Sequence, residues 1–347
     1  MRTVTFLASA LALTLLASAC TTETAESPSR TKTGKTTKKP PKAENGEHAV
    51  GDDDDDIDVD PGTTIASGTW EDGKTIAENG TINAGEVVTI APGATINLGP
   101  GVTVIVKGTL KVDSAAKHAK LTGTGWGGLL VSQGGKLEAN GLDIEGAKNA
   151  IWTETGGDAT IENGVIKAES PFKMDAGSKL TVTKTNVTAT AGSTLAGTFT
   201  ASYLDYDKGV APGLTMNDAA GTFSATDSNF HGTGKGGDFI ISSGAKSLTL
   251  AYTKVANSHC GLHFNAVDKF TLDHVTIESN DYGAMLYGSG AGPHEIKDTN
   301  FLVNAAYDAD IKGTNGPINA TGSLMKDVPG LTQTAKATGP VTGAGPR

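Results

Sequence analysis

The feature that most constrains the fold is a short apolar motif that recurs along residues 128–311. It is a four-residue segment whose second and fourth positions are mostly apolar, and its second positions follow one another at intervals of 21 to 25 residues. The segments are GLLV (128–131), AIWT (150–153), PFKM (171–174), GSTL (192–195), GLTM (213–216), DFII (238–241), GLHF (261–264), GAML (283–286) and DADI (308–311). A fixed period of this size indicates a stacked repeat architecture.

Two further series of apolar residues lie between these segments. One is Ile144, Ile166, Val187, Leu204, Phe230, Val255, Ile277 and Phe301, and the other is Leu137, Ile161, Val182, Phe199, Phe223, Leu250, Leu272 and Ile296. Gly, Asn and Asp, which favour turns, separate the series. Three short strands per repeat predict an all-β solenoid, because one repeat cannot bury its own inner face and stacked repeats share a continuous core.

The beginning of the repeat region carries additional motifs. These are GTW at 68–70, apolar-Pro-Gly-apolar turns within 85–112, and GWGGLLV at 125–131. With them, the chain resembles the right-handed parallel β-helix proteins of the pectin-lyase-like fold, which implies one such helix over residues 61–325. A β-sandwich also has short strands and Gly-rich turns, but it would not keep this period. The fold hosts lyases, hydrolases, adhesins and structural proteins, so the resemblance leaves the function open.

The N-terminus is predicted to direct export. Residues 1–19 combine Arg2, an apolar run and small residues, as a secretory signal peptide does. Cys20 follows the small residues directly, which resembles the lipobox of bacterial lipoproteins. We therefore expect lipidation of Cys20, a lipid-anchored position in the cell envelope and an outer-membrane location. Plain secretion, with Cys20 inside the signal peptide, is the alternative.

The segments that flank the repeats have a different composition. Residues 20–60 contain almost no large apolar side chain, which predicts a disordered linker, and residues 326–347 are rich in Gly, Thr, Ala and Pro, which predicts a cap or a frayed tail. The formal net charge is −10 at pH 7, which gives no basic footprint for nucleic acid. No cofactor is expected. Calcium stays open, although the adjacent carboxylates of Asp52 to Asp56 lack the spacing of a calcium loop.

A cluster of metal-ligand residue types lies at 257–266, where His259, Cys260 and His263 occur together. In one strand, His259 and His263 would stand about 13 Å apart, whereas ligands of one zinc ion each lie about 2 Å from it. Gly261 permits a turn that would bring them together. Two interpretations follow: a weak metal site at His259 and His263, or surface histidines beside a partly buried Cys260.

Alternation along the strands predicts an outward row at the third position of each segment. The row is Leu130, Trp152, Lys173, Thr194, Thr215, Ile240, His263, Met285 and Asp310. Its apolar members would form an exposed interaction surface, and exposed aromatic rings could stack on sugars. The predicted ligand-binding residues are Trp152, Ile240, His263, Met285, Tyr282 and Tyr287.

Catalysis is the alternative to binding. Asp281, Asp308 and Asp310 fall in neighbouring repeats close to His259 and His263, and Lys173 would be the candidate base. Arg occurs only at 2, 30 and 347, which excludes the arginine base that the resemblance to polysaccharide lyases would imply. The sequence signatures of the hydrolases with this fold are also absent.

These observations favour a non-catalytic envelope lipoprotein. Its β-helix would serve surface adhesion, glycan binding or structural scaffolding, with a polysaccharide or a surface protein as partner. A polysaccharide lyase or glycoside hydrolase acting on the outer face is the second hypothesis.

Overall fold

The computed structural model describes residues 59–288, 290–313, 318–326, 328 and 331–347. Within them the chain is an all-β parallel solenoid of about 11 turns, without a helix, which confirms the predicted fold class. No helix in the described part of the chain is long and apolar enough to cross a membrane. The predicted signal peptide, the lipidation site Cys20 and nearly all of the predicted linker lie outside the described residues.

Three parallel sheets run along the solenoid, and each full turn contributes a strand to every sheet. Sheet 1 contains Thr63–Ile65, Gly80–Ile82, Thr103–Val106, Gly128–Val131, Ser193–Leu195, Cys260–Phe264, Tyr282–Tyr287 and Tyr307–Lys312. Sheet 2 contains Gly68–Trp70, Val87–Ile90, Thr109–Asp113, Lys136–Asn140, Asp158–Glu162, Lys179–Thr183, Thr198–Ser202, Lys269–Asp273, His294–Lys297, Ile318–Thr321 and Thr332–Thr334.

Sheet 3 completes each turn. It contains Thr75–Ile76, Thr95–Leu98, Ala119–Trp126, Asn186–Ala189, Asp205–Asp207, Asn229–His231, Lys254–Ala256, Thr276–Glu278 and Asn300–Leu302. Four longer strands pass from one sheet into the next. Leu142–Thr153 and Val165–Met174 join sheet 3 to sheet 1, whereas Leu214–Thr226 and Ile240–Ala251 join sheet 1 to sheet 2.

The core is a set of ladders in which equivalent side chains of successive turns stack inward. The first turns are mainly aliphatic, with Trp70 and Trp126 as their buried aromatic residues, and several Phe rings join the aliphatic residues from Phe172 onward. Phe199 and Phe223 stack with their centroids 5.2 Å apart, and Phe239 packs edge-on against Phe230 at 5.6 Å. No single turn could bury its own inner face, and stacking the turns shields these faces from water.

The corner between sheets 2 and 3 turns on one left-handed residue in most repeats. Asn163, Lys184, Tyr203, Asp227, Tyr252, His274 and Asp298 all have φ between 47° and 55°. This conformation is uncommon outside glycine. It makes a tight corner, so the next strand starts within two residues.

The predicted register is wrong at one position of the outward row. Ile240 pairs with Leu214 and Leu262 and is fully buried, and its neighbour Ile241 takes the outward position beside His263. Phe239, Ile240 and Ile241 are three apolar residues in a row, so local alternation could not set the register. A slip of one residue exchanges the inner and outer faces.

The end of the chain packs against the side of the solenoid. Asn300 exchanges two hydrogen bonds with the backbone of Val341, and the amide of Gly345 donates to the carbonyl of His274. The Arg347 guanidinium forms two hydrogen bonds with the carboxylate of Asp227, at 2.7 and 3.0 Å. After the last strand of sheet 2, Thr332–Thr334, the chain turns back, and residues 341–347 run over earlier turns along the corner between sheets 2 and 3.

Candidate ligand-binding surface

Polar and aromatic side chains collect on the outer side of sheet 1 in its last turns. Parallel pairing aligns His263 with Met285 and Met285 with Asp310, and it sets Tyr282 beside Tyr307. We call His259, His263, Asp281, Tyr282, Tyr287, Tyr307 and Asp310 the aromatic–acidic surface. Every one of these seven residues is partly exposed.

Tyr287, Asp310 and Lys312 form one hydrogen-bonded unit on this surface. The Tyr287 hydroxyl donates to Asp310 Oδ2 at 2.6 Å, and Lys312 Nζ lies 2.8 Å from the same oxygen and 5.0 Å from the centre of the Tyr287 ring. Burial alone would raise the pKa of Asp310, but the hydrogen bonds from Lys312 and Tyr287 hold this pKa below its usual value. Burial and the Asp310 carboxylate raise the pKa of Tyr287 to about 12, so its hydroxyl stays protonated.

A second unit contains two tyrosines and a histidine. The rings of Tyr282 and Tyr307 lie 4.7 Å apart at an angle of 38°, and the His259 ring meets Tyr282 edge-on at 4.9 Å. His259 Nδ1 is 3.4 Å from Asp281, whose other oxygen is paired with Lys235 at 2.7 Å. Burial raises the pKa of the Tyr307 hydroxyl above its usual value, and Tyr287 adds to this shift. Tyr307 is thus a neutral ring in this unit.

The two histidines of the predicted metal pair have different partners. His259 faces Asp281, whereas His263 Nδ1 is 2.6 Å from Asp238 Oδ2. Asp238 Oδ1 accepts the backbone N–H of Cys260 at 3.1 Å. Among the described residues, two groups have ligand atoms within 4.8 Å of one another: Asp238, Cys260 and His263 here, and Asp273, His274 and Asp298 at the corner between sheets 2 and 3.

Asp238 is a functional candidate that the sequence did not single out. It lies one turn before His263, 25 residues earlier in the chain, and the period of the repeat is the signal that could have found it. Burial would raise the pKa of Asp238, but hydrogen bonds with the side chains of His263 and Cys260 lower it overall. Cys260 itself lies within a strand and is fully buried, not partly buried at a corner.

Two of the predicted catalytic residues are separated from the others. Asp308 is buried and accepts the backbone N–H of Lys326 at 2.9 Å, whereas Asp310 is partly exposed on the outer side of sheet 1. Lys173 is six strands from Asp310 along sheet 1, or about 29 Å. Lys173 and the aspartates therefore cannot act on one bond.

The predicted apolar stripe is not an exposed patch. Leu130 and Met285 are buried in addition to Ile240. Trp152 is partly exposed, but Lys173 Nζ lies 3.5 Å from the centre of its ring, and its Nε1 donates to Asp175 at 3.1 Å. Trp152 is five strands from His263, about 24 Å away, so it does not belong to the aromatic–acidic surface.

Comparison of the chain with family models, curated proteins and solved structures gives no match. The functional argument therefore depends on the geometry of the described residues.

Proposed function

We propose that this chain is a non-catalytic, exported β-solenoid that binds glycans through the aromatic–acidic surface. The observation that carries this proposal is the arrangement of Tyr282, Tyr287 and Tyr307 on adjacent turns beside the carboxylates of Asp281 and Asp310. Tyrosine offers an apolar ring with a polar tip, and ionised carboxylates accept hydrogen bonds from hydroxyl groups. A sugar can stack its ring on the tyrosine rings and donate hydrogen bonds from its hydroxyl groups to the carboxylates.

The direction of the pKa shifts favours binding over hydrolysis. A glycosidase requires one carboxylic acid with a raised pKa, which protonates the leaving group. Asp238 and Asp310 both have lowered pKa values, so both are ionised at neutral pH. Tyr287 holds its proton to about pH 12, which makes it a poor base. These groups suit stable recognition of a ligand.

The cellular setting is part of the same proposal. The lipobox-like sequence before Cys20 supports acylation of this cysteine and anchoring in the cell envelope, with the outer membrane as the expected location. A glycan of the cell surface or of a neighbouring cell would then be within reach.

The test uses the full chain carrying Cys20→Ser, which removes the site of lipidation. It is passed over a panel of immobilised neutral and acidic polysaccharides, with and without calcium, and retention and newly formed chain ends are measured in the same samples. We expect retention without new ends, and its loss in Tyr282→Ala. Tyr203→Ala is the matched control, because Tyr203 is exposed at the corner between sheets 2 and 3.

Each outcome has a defined meaning. New reducing or unsaturated ends would make the protein an enzyme and overturn the proposal. Equal loss of retention in both tyrosine variants would place the ligand elsewhere. No retention on any polysaccharide would leave adhesion to a protein partner or scaffolding as the function.

A further inference from the structure

Two sulfur atoms meet beside the aromatic–acidic surface. Cys260 begins its strand in sheet 1, and Met285 lies on the next turn, where it pairs with His263. Cys260 Sγ and Met285 Sδ are 3.1 Å apart, and these residues are 1% and 8% exposed. The Cys260 thiol donates a hydrogen bond to the Met285 thioether, and both sulfur groups are ligands of soft metal ions.

An imidazole lies next to the sulfur pair, and a carboxylate orients it. A nitrogen of His263 lies within 4.8 Å of Cys260 Sγ. Asp238 engages His263 Nδ1 with one oxygen and the Cys260 amide with the other, so both carboxylate oxygens have partners. Metal-ligating histidines commonly use one nitrogen for such a carboxylate and the other for the metal. Nε2 is the nitrogen of His263 that this arrangement leaves for a ligand bond.

We propose that Cys260, Met285 and His263 form a binding site for one Cu⁺ ion. Thiolate, thioether and imidazole are the ligands that soft Cu⁺ prefers. Cys260 loses its thiol proton when the metal–sulfur bond forms, so the ion and the thiolate together carry no net charge. This neutrality suits a buried site, since burying an uncompensated charge is costly. Asp238 is a positioning residue.

Zn²⁺ is the competing ion, and it would use different atoms. It prefers Cys sulfur, His nitrogen and carboxylate oxygen, so it would recruit Asp238 and would not need the Met285 thioether. Met285 therefore distinguishes the two ions. His263 belongs to both the copper site and the aromatic–acidic surface, whereas Cys260 and Met285 are buried and belong to the copper site alone. Cu⁺ binding therefore does not require a bound glycan, and the two proposals can fail independently.

The experiment is an anaerobic titration of the reduced full chain with Cu⁺ against a chromogenic Cu⁺ chelator, and a parallel titration with Zn²⁺. The reference chain carries Cys20→Ser, because a second thiol would compete for metal. We expect one equivalent of Cu⁺ per chain, with binding abolished in Cys260→Ser and strongly weakened in Met285→Leu. Asp238→Asn should weaken binding by about 10- to 100-fold, as expected for a residue that orients a ligand.

Two variants serve as matched controls. Met216→Leu changes another buried methionine of sheet 1, and His118→Gln changes a histidine that is likewise paired with an aspartate, at 2.8 Å from Asp143. Both should bind Cu⁺ like the reference. Far-ultraviolet circular dichroism of each variant checks folding, and Met285→Leu keeps the test valid if Cys260→Ser misfolds.

Three results would overturn the proposal. They are the absence of a stoichiometric Cu⁺ complex, Cu⁺ binding that survives Met285→Leu unchanged, and Zn²⁺ binding tighter than Cu⁺ that depends on Asp238 but not on Met285. The last result would define a zinc site in place of the copper site.

Discussion

The outer side of sheet 1 differs between its middle and its last turns, although the backbone is the same. In the middle turns, Trp152 is held between Lys173 and Asp175, and the next two outward residues are Thr194 and Thr215. In the last turns, the same row carries His263, Met285 and Asp310, with tyrosines on both sides. The inward residues maintain the solenoid in both regions, so the outward residues are free to differ. The residues on which the proposed glycan binding depends lie in the last turns, where the outward residues are aromatic and acidic.

The largest effect is expected inside the solenoid. Phe223 is buried and stacked on Phe199, so Phe223→Ala should lower the free energy of unfolding by about 3–5 kcal/mol. Ser224→Ala, at the next position on the outer side, should change it by less than about 0.5 kcal/mol. Urea unfolding followed by circular dichroism measures both. Similar values for the two variants would contradict the division between inner and outer faces.

Acid should destabilise the last turns through Asp310. Its pKa is lowered in the folded state, so its ionised form stabilises the fold above the unfolded pKa of about 3.9, and this contribution disappears as the pH falls through the folded pKa. Asp310→Asn should cost about 1 kcal/mol at pH 7 and should make stability less dependent on pH below about 4.

Chemical unfolding of the wild type and Asp310→Asn between pH 2 and 7 checks this expectation. Tyr287→Phe removes the hydroxyl that donates to Asp310 and should shift the acid transition in the same direction by a smaller amount. If the free energy of unfolding falls equally with pH in the wild type and in Asp310→Asn, the Asp310 carboxylate does not contribute to the acid dependence of stability.

A local effect is expected at the end of the chain. Arg347→Ala removes the two hydrogen bonds to Asp227 and should accelerate amide exchange at Gly345, with little change in exchange at the core strands. Hydrogen exchange with mass spectrometry resolves the two regions. Asp227→Asn should have the same local effect, and unchanged exchange in both variants would mean that this pair does not hold the tail.

The smallest effect is expected in the middle turns. Trp152→Ala should leave polysaccharide retention unchanged, because Trp152 is about 24 Å from the aromatic–acidic surface and its ring is occupied by Lys173. Retention is measured beside Tyr282→Ala on the same immobilised glycan. A loss in Trp152→Ala equal to that in Tyr282→Ala would extend the binding face along the whole sheet.

Most of the candidate surface could be predicted from the sequence. Strand alternation predicted that His263, Met285 and Asp310 occupy one row, and the paired strands confirm that register. Alternation failed for Ile240, where three apolar residues in succession carry no period. The burial of Asp308 could not be predicted, because its partner, the Lys326 amide, lies 18 residues later in the chain.

The sequence by itself determined the solenoid, its three strands per turn and most of the side chains that point inward, because the apolar period repeats along the chain. Only the tertiary structure decided which side chains become lateral neighbours. The contacts of Asp238 with His263 and of Cys260 with Met285 join residues 25 apart. The number of residues in each intervening turn sets which side chains face one another across about 4.8 Å, and local patterns do not encode that offset.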